Sequence, residues 1–255
     1  MPYDGNVDIR FYSSIERKFD QWGKLSEEDL FFVRKCLESW DANFAEAFKS
    51  VLPARFHYLF GSFHSALQPA ARQAFNIPSS GNFKPWIKYL FRSTNLPAEP
   101  KHPLPNYELD TIYPKHFDLV LASSPILRTK EYLLTRIPVS TALYRDKSRL
   151  SDPLAFCVTA PDKSISILWV DPSFRGLGIG KFVAYHRLVG EGGMLDSRIH
   201  VGTSTFKFYG DKNSDILWSH ADIAEDNISS KKMCESLGGV AHWSSVWIRV
   251  QISRN

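Results

Sequence analysis

The chain has 255 residues, of which 44% are hydrophobic and 23% charged, a composition that is ordinary for a globular protein with one large domain or two small ones. Its 31 basic and 27 acidic side chains leave a formal net charge of +4. No block of lysines and arginines indicates a nucleic-acid partner, so the mild positive charge suits at most an anionic small molecule.

Three cysteines, Cys36, Cys157 and Cys234, form no C-x-x-C pair, which favours a reducing compartment without disulfides or a structural zinc site. The first thirty residues carry charges throughout, and no stretch of the chain has the length and apolar character of a membrane span. The sequence therefore predicts a cytoplasmic protein, a monomer or homodimer, with no metal, membrane or nucleic-acid partner.

Residues 1–106 are predicted to form a mainly helical N-terminal region. Ser26 stands before three acidic residues and predicts a helix N-cap. Apolar residues then recur at three- and four-residue steps and mark one buried helix face that ends before Pro53. These residues are Leu30, Val33, Leu37, Trp40, Phe44, Phe48 and Val51.

Helical stretches interrupted by prolines are expected over residues 55–92. The prolines between Pro97 and Pro105 then predict an extended connector, which places a domain boundary near residue 106.

Residues 107–255 are predicted to form a second domain of α/β (α+β) class. The turn residues Pro161-Asp162-Lys163 indicate an antiparallel hairpin of strands 154–159 and 164–170. Residues 190–214 are predicted to be a long insertion near the substrate mouth. The other predicted elements are a strand at Phe117–Ala122, a short helix at Pro125–Leu134 and a half-buried strand from Ile248.

One stretch carries the strongest pattern. Large and β-branched apolar residues predict a strand over Ile165–Val170, which Asp171-Pro172 ends. Three alternate glycines follow, and helical spacing begins at Ile179. The first turn of a helix has unpaired N–H groups and a positive dipole end, and glycines let a phosphate approach them. The stretch therefore predicts an anion cradle, to which Arg175 and Lys181 add positive charge.

The spacing excludes two common phosphate loops. A Walker loop needs a glycine where this chain has Arg175, and a serine or threonine where it has Phe182. The dinucleotide fingerprint G-x-G-x-x-G fails because Gly180 comes one residue early. Downstream, a second motif begins with Asn227, a good N-cap, and ends with the helix stop Gly238-Gly239.

Together the two motifs resemble the GNAT acyltransferases. Residues 175–180 are similar to that family's R/Q-x-x-G-x-G/A loop, and residues 227–238 to its N-x-x-[SA]-x-x-x-[YC]-E-x-L-G segment. The resemblance covers about residues 110–252 and implies a mixed central sheet with flanking helices. Residues 153–156 and 219–222 look most like glycine N-acyltransferases and a group of fungal acyltransferases. The N-terminal half of the former is a degenerate copy of the same fold, and the periodicity leaves open whether residues 1–105 are such a copy.

The resemblance implies acetyl-CoA, or another acyl-CoA, as co-substrate. It places the pyrophosphate on the glycine loop and oxyanion donors where the fourth strand bulges, around Leu168 to Val170. The residues implied to bind the coenzyme are Leu168, Trp169, Val170, Arg175, Gly176, Leu177, Gly178, Ile179, Gly180, Lys181, Asn227 and Lys231.

The chain differs from these acyltransferases at the positions of their catalytic residues. Glycine N-acyltransferases use a glutamate as base where this chain has Ser164, and the family's proton-donating tyrosine corresponds to Cys234. His220 and Asp222 alternate onto one face of the fifth strand and are the remaining candidates for the base. Cys234 is the candidate acid, with packing as the plainer alternative.

The implied function is direct transfer of an acetyl group from coenzyme A to the amine of a small molecule in a ternary complex. A protein or peptide N-acetyltransferase is an alternative within the enzymes, although no acidic run exists to receive a basic tail. The alternative that is not an enzyme is a non-catalytic, regulatory module that binds coenzyme A.

Overall fold

A computed structural model describes residues 6–9, 25–47, 55–78, 83–124, 126, 128–145, 149–196 and 217–253. Its helices are α1 (Glu27–Ala47), α2 (Gln68–Ala74), α3 (Phe117–Ala122), α4 (Lys130–Arg136), α5 (Ile179–Val189) and α6 (Ile228–Ser236). Its strands are β1 (Asn6–Ile9), β2 (Arg55–His64), β3 (Trp86–Arg92), β4 (Glu108–Asp110), β5 (Ser140–Tyr144), β6 (Ala155–Thr159), β7 (Ile165–Val170), β8 (Leu195–Asp196), β9 (Leu217–Ala224) and β10 (Val240–Ser253).

The chain divides into two compact units, neither of them continuous in sequence. The first comprises Met1–Lys88, Ile223–Asp226 and His242–Asn255, and the second Tyr89–Asp222 and Asn227–Ala241. The first break therefore comes at residue 88 rather than near 106. The C-terminal strand belongs largely to the first unit because β10 pairs antiparallel with β2, which also pairs in parallel with β1.

The predicted helix after Ser26 is confirmed as α1. The Ser26 hydroxyl accepts a hydrogen bond from the Asp29 N–H at 3.1 Å, as an N-cap does. Val33 and Leu37 are fully buried in the core of the first unit, and Leu30, Trp40 and Phe44 pack against it. Phe48 and Val51 lie outside the described residues.

The prediction of helical stretches over residues 55–92 is wrong at β2 and β3. In the described part of this range α2 is the one α-helix, and Pro69 lies in its first turn. Aromatic residues dominate β2, where Phe60 and Phe63 are fully buried in the same core as Ile248 and Val250 of β10. Such residues suit a strand as well as a helix face, and pairing with the distant β10 decides between them.

The second unit contains an antiparallel sheet in the order β4, β5, β6, β7. The predicted β6–β7 hairpin is confirmed. The predicted strand at Phe117–Ala122 is wrong, because this segment is α3, with Phe117 and Val120 buried one helical turn apart. The short helix predicted over 125–134 corresponds to α4, and β5 was not predicted.

The sheet of β4 to β7 and the helix α5 together position the predicted anion cradle, which lies between β7 and α5. Helix α5 packs against β5, β6 and β7, and its residues Phe182, Val183 and Leu188 are buried. The alternation predicted from Ile248 is confirmed in β10, where Ile248 and Val250 are buried and Arg249 is exposed.

Among the described residues, no helix is both long enough and apolar enough to span a membrane.

Candidate functional site

Strands β7 and β9 meet at one point. A single parallel bridge joins Ser164, directly before β7, to His220 in β9, and the described residues record no further pairing between the two strands. β7 is otherwise the last strand of its sheet, while β9 lies between β3 and β8 in the other sheet. The bridge comes before the first residue of β7, so the edge of β7 that faces away from β6 has no strand partner among the described residues, and we call it the open edge.

The open edge presents backbone N–H groups. The Asp171 N–H donates to the Leu154 carbonyl at 2.8 Å, on the side of β6. Because N–H groups alternate sides along a strand, those of Leu168 and Val170 point to the open edge. The Val170 carbonyl lies on that edge too, where it accepts from Nε of Arg175 at 3.1 Å.

The bulge expected around Leu168 to Val170 is instead at Ser166. The register shifts between Val158 and Thr159, which leaves Ser166 as the additional residue, while Leu168 to Val170 pair regularly with β6. The Ser166 hydroxyl donates to the Val158 carbonyl at 3.1 Å, and Arg128 donates to the Ser166 carbonyl at 3.1 Å. Open-edge N–H groups therefore come from the strand's position at the sheet edge rather than from a bulge.

The glycine loop joins β7 to α5 in a left-handed conformation. Gly176 has φ +83° and Gly178 has φ +79°, values that favour glycine. A Cβ atom on either residue would meet no heavy atom within 4 Å, so the loop leaves space on that side of the backbone. The space lets a ligand approach closely.

Helix α5 begins at this loop without a capping side chain. Its N-cap is Gly178, and Phe182 is the first residue to donate back to it, at 3.0 Å. The N–H groups of Ile179, Gly180 and Lys181 thus point out of the helix end, where the helix dipole favours an anion. Leu177 is 54% exposed and Lys181 half-buried, so the loop is open to solvent. The structure brings the predicted cradle residues together as one helix N-terminus.

His220 lies at the bridge and has a partner that the sequence patterns missed. Its side chain is almost completely buried, and its Nε2 lies 3.7 Å from Oδ2 of Asp162. The other oxygen of Asp162 accepts from the Ser164 N–H at 3.0 Å and from the Ser164 hydroxyl at 2.7 Å. The sequence around Asp162 predicts only a turn, and a turn signal does not predict that the carboxylate lies near His220.

The other two catalytic candidates differ in burial. Asp222 lies two residues after His220 in β9, half-buried, and strand alternation places both on the same face. Cys234 is fully buried, and burial raises the pKa of its thiol to about 12. A thiol with this pKa is a poor proton donor to a coenzyme A thiolate, whose ordinary pKa is well below that. Its burial and raised pKa therefore favour the packing alternative for Cys234 over the role of acid.

Helix α6 has the termini that the second motif predicts. Asn227 caps it by accepting from the Ser230 N–H at 3.1 Å. Gly238 has φ +77°, and the Gly239 N–H donates back to the Cys234 carbonyl at 2.9 Å. Asn227 is exposed, and Lys231 is half-buried in the first turn. Residues 197–214 of the predicted insertion lie outside the described residues.

No protein-family profile and no curated protein matches the chain. Solved structures do match. A Drosophila protein superposes with a TM-score of 0.56 at 13% identity, over 76% of this chain and 60% of that protein. A GCN5-related N-acetyltransferase from Sphaerobacter thermophilus superposes with a TM-score of 0.50 at 13% identity, over 85% of this chain and 67% of that enzyme. The single parallel bridge between β7 and β9, the glycine loop and these superpositions together identify the fold: this chain has the fold of the GCN5-related N-acetyltransferases.

Proposed function

We propose that the protein is an acyl-CoA-dependent N-acyltransferase that moves an acetyl group from acetyl-CoA to the amine of a small molecule. One observation carries this proposal. The open edge of β7 leads directly into an uncapped, glycine-lined helix N-terminus. An extended thiol arm with a phosphate at its end fits such a continuous edge and cradle.

The cradle supplies groups for the pyrophosphate of the coenzyme. The N–H groups of the first turn of α5 would bind its oxygens, with Arg175 and Lys181 adding charge. Nε of Arg175 donates to the Val170 carbonyl at 3.1 Å, and among the described residues its two terminal nitrogens have no recorded partner, so they can donate to a ligand. Leu168, Trp169 and Val170 would line the thiol arm along β7, and Asn227 and Lys231 would approach it from the first turn of α6.

Two backbone donors suit the transition state of acyl transfer. The attack of an amine on a thioester places negative charge on the carbonyl oxygen. The N–H groups of Leu168 and Val170 face the open edge and are held in place by regular pairing with β6. They would donate to this oxygen without reorganising.

His220 is the proposed base, with Asp162 as its positioning residue. An amine is protonated in neutral water, so a proton must leave the nitrogen before or during attack. The His220 imidazole would take this proton, and the nearby Asp162 carboxylate would stabilise the imidazolium that forms. The C–N bond then forms as the C–S bond breaks, and the thiolate leaves.

A non-catalytic module that binds coenzyme A is the second candidate. It is favoured by Ser164 and Cys234, which occupy the positions of the relatives' glutamate base and tyrosine acid. Turnover separates this candidate from the enzyme, since both bind the coenzyme.

The deciding experiment is a calorimetric titration of acetyl-CoA into the purified protein and two variants of Gly178. Gly178→Asp puts a negative charge at the helix start, which favours the helix dipole but repels a phosphate. Gly178→Asn tolerates the left-handed backbone without that charge and is the matched control. We expect micromolar binding in the wild type, a loss of at least tenfold in Gly178→Asp and a smaller loss in Gly178→Asn.

Turnover is then measured as thiol release from acetyl-CoA with a panel of small amines. Release that depends on an amine supports the enzyme. Binding without release from any amine favours the module, and absence of binding overturns both proposals.

A further inference from the structure

Lys163 is partly buried and has no acidic partner among the residues that the structure describes. It lies in the turn between β6 and β7 with φ +63°. Its ammonium lies over Gly192, where an added Cβ would be 3.3 Å from Nζ. In the part of the chain that the structure describes, no carboxylate lies within 4.0 Å of this ammonium, and burial, followed by repulsion from Arg187 and Arg136, lowers its pKa.

Arg187 is a second cation that has no carboxylate partner among the described residues. It is 3% exposed, and in the same part of the chain its terminal nitrogens donate to the backbone carbonyls of Ser140, at 3.3 Å, and of Glu191. Its Nε is buried without a hydrogen-bond partner in the described structure. A buried arginine is ordinarily paired with a carboxylate or phosphate, since an uncompensated buried charge is unfavourable.

We propose that Lys163 and Arg187, whose cationic groups both lie at the turn of residues 190–192, form a binding site for a small oxyanion, a carboxylate or a phosphate group. Lys163 is half-buried and can reach a ligand from solvent, whereas Arg187 contributes a fixed charge from the interior. A bound oxyanion would compensate these two neighbouring positive charges. This site is separate from the cradle, because it lies at the carboxyl end of α5 rather than at its amino end.

The site also borders the proposed base. Lys163 directly follows Asp162, and its carbonyl accepts from the hydroxyl of Ser219, the neighbour of His220, at 2.7 Å. The bound oxyanion therefore has two possible sources: a free anion, or an anionic group of the acceptor amine.

The test is a titration of malonate and of inorganic phosphate, followed by thermal unfolding of the wild type and three variants. Lys163→Met keeps an unbranched apolar stem over Gly192 and removes the charge. Lys101→Met removes an exposed lysine elsewhere, and Gly178→Asp blocks the cradle, which also attracts anions. We expect saturable stabilisation of the wild type by at least one of the anions. Lys163→Met should weaken the affinity at least tenfold, and the other two variants should leave it within about twofold.

The proposal is overturned if neither anion stabilises the wild type, if Lys163→Met binds as tightly as the wild type, or if Gly178→Asp abolishes the response. The source of the oxyanion is then tested with pairs of amines that differ only in a carboxylate. A preference for the anionic amine that Lys163→Met removes assigns the oxyanion to the acceptor. If Lys163-dependent binding of the free anion occurs without such a preference, the site belongs to an independent ligand. Because the unfolding experiment uses no coenzyme, its result does not depend on the proposed acyl transfer.

Discussion

Nε2 of His220 lies 3.7 Å from Oδ2 of Asp162, at the point where β7 and β9 meet. Two hydrogen bonds from Ser164 to Asp162 fix the carboxylate, and the parallel bridge fixes His220 opposite it. A base with a nearby carboxylate thus lies at the origin of the open edge.

His220→Gln should lower kcat/KM for amine acetylation about 100-fold, because an amide cannot accept the proton of the ammonium. Asp162→Asn should lower it about tenfold and move the acidic limb of the pH profile to lower pH, since the imidazolium loses its neighbouring anion. The measurement is kcat/KM against pH for both variants. Asp118→Asn, a change in an exposed ion pair with Lys130, is the control and should leave the profile unchanged. A drop of less than about fivefold in His220→Gln would exclude it as the base.

The three cysteines should differ in reactivity. Cys157 and Cys234 are fully buried, and burial raises the pKa of each thiol to about 12, whereas Cys36 is partly exposed. Because the thiolate is the reactive form, we expect a thiol reagent at pH 8 to label Cys36 and to leave the two others unmodified until the protein unfolds. Mass spectrometry of native and urea-treated samples measures this. Cys234→Ala should also retain turnover within a few-fold. Rapid native labelling of Cys234 would restore it as a candidate acid.

The buried His64 should make the first unit sensitive to acid. Burial lowers its pKa from 6.5 to about 4, so the unfolded chain binds a proton that the folded one does not between these values. The free energy of unfolding is therefore highest above pH 6.5, where His64 is neutral in both states. It falls by on the order of 3 kcal/mol as the pH falls to about 4.

His64→Asn is the comparison for this effect. Asparagine keeps an acceptor for the Ala66 N–H, which His64 Nδ1 binds at 3.2 Å, but does not titrate. Urea unfolding of both proteins from pH 4 to 7 should give a stability difference that changes with pH. A constant difference would contradict the prediction.

Gly238→Ala should destabilise the protein by about 2–4 kcal/mol, through backbone strain and overpacking together. Gly238 has φ +77°, and an added Cβ would lie 1.9 Å from the Asn95 carbonyl oxygen. Gly176→Ala is the matched control, because Gly176 has φ +83° but open space around an added Cβ. The free energy of unfolding of Gly176→Ala should fall by about 1–2 kcal/mol, which is the cost of the backbone strain alone. Urea denaturation measures both, and equal losses would show that the contact with Asn95 does not matter.

The sequence alone was sufficient for features that depend on neighbouring residues. The cap at Ser26, the cap at Asn227, the stop at Gly238 and the strand, glycine turn and helix of the cradle each arise within a few residues. Local backbone preference and hydrogen bonding decide them, so their residue types reveal them.

Only the tertiary structure decided features that join distant parts of the chain. Residues 55–64 form a strand because β10 pairs with them, and α3 is a helix because one of its faces is buried. Asp162 meets His220, and Lys163 lies near Arg187, because the turn between β6 and β7 lies beside β9 and the end of α5. Periodicity describes one segment at a time, whereas charge pairing and strand pairing depend on which segments the fold brings together.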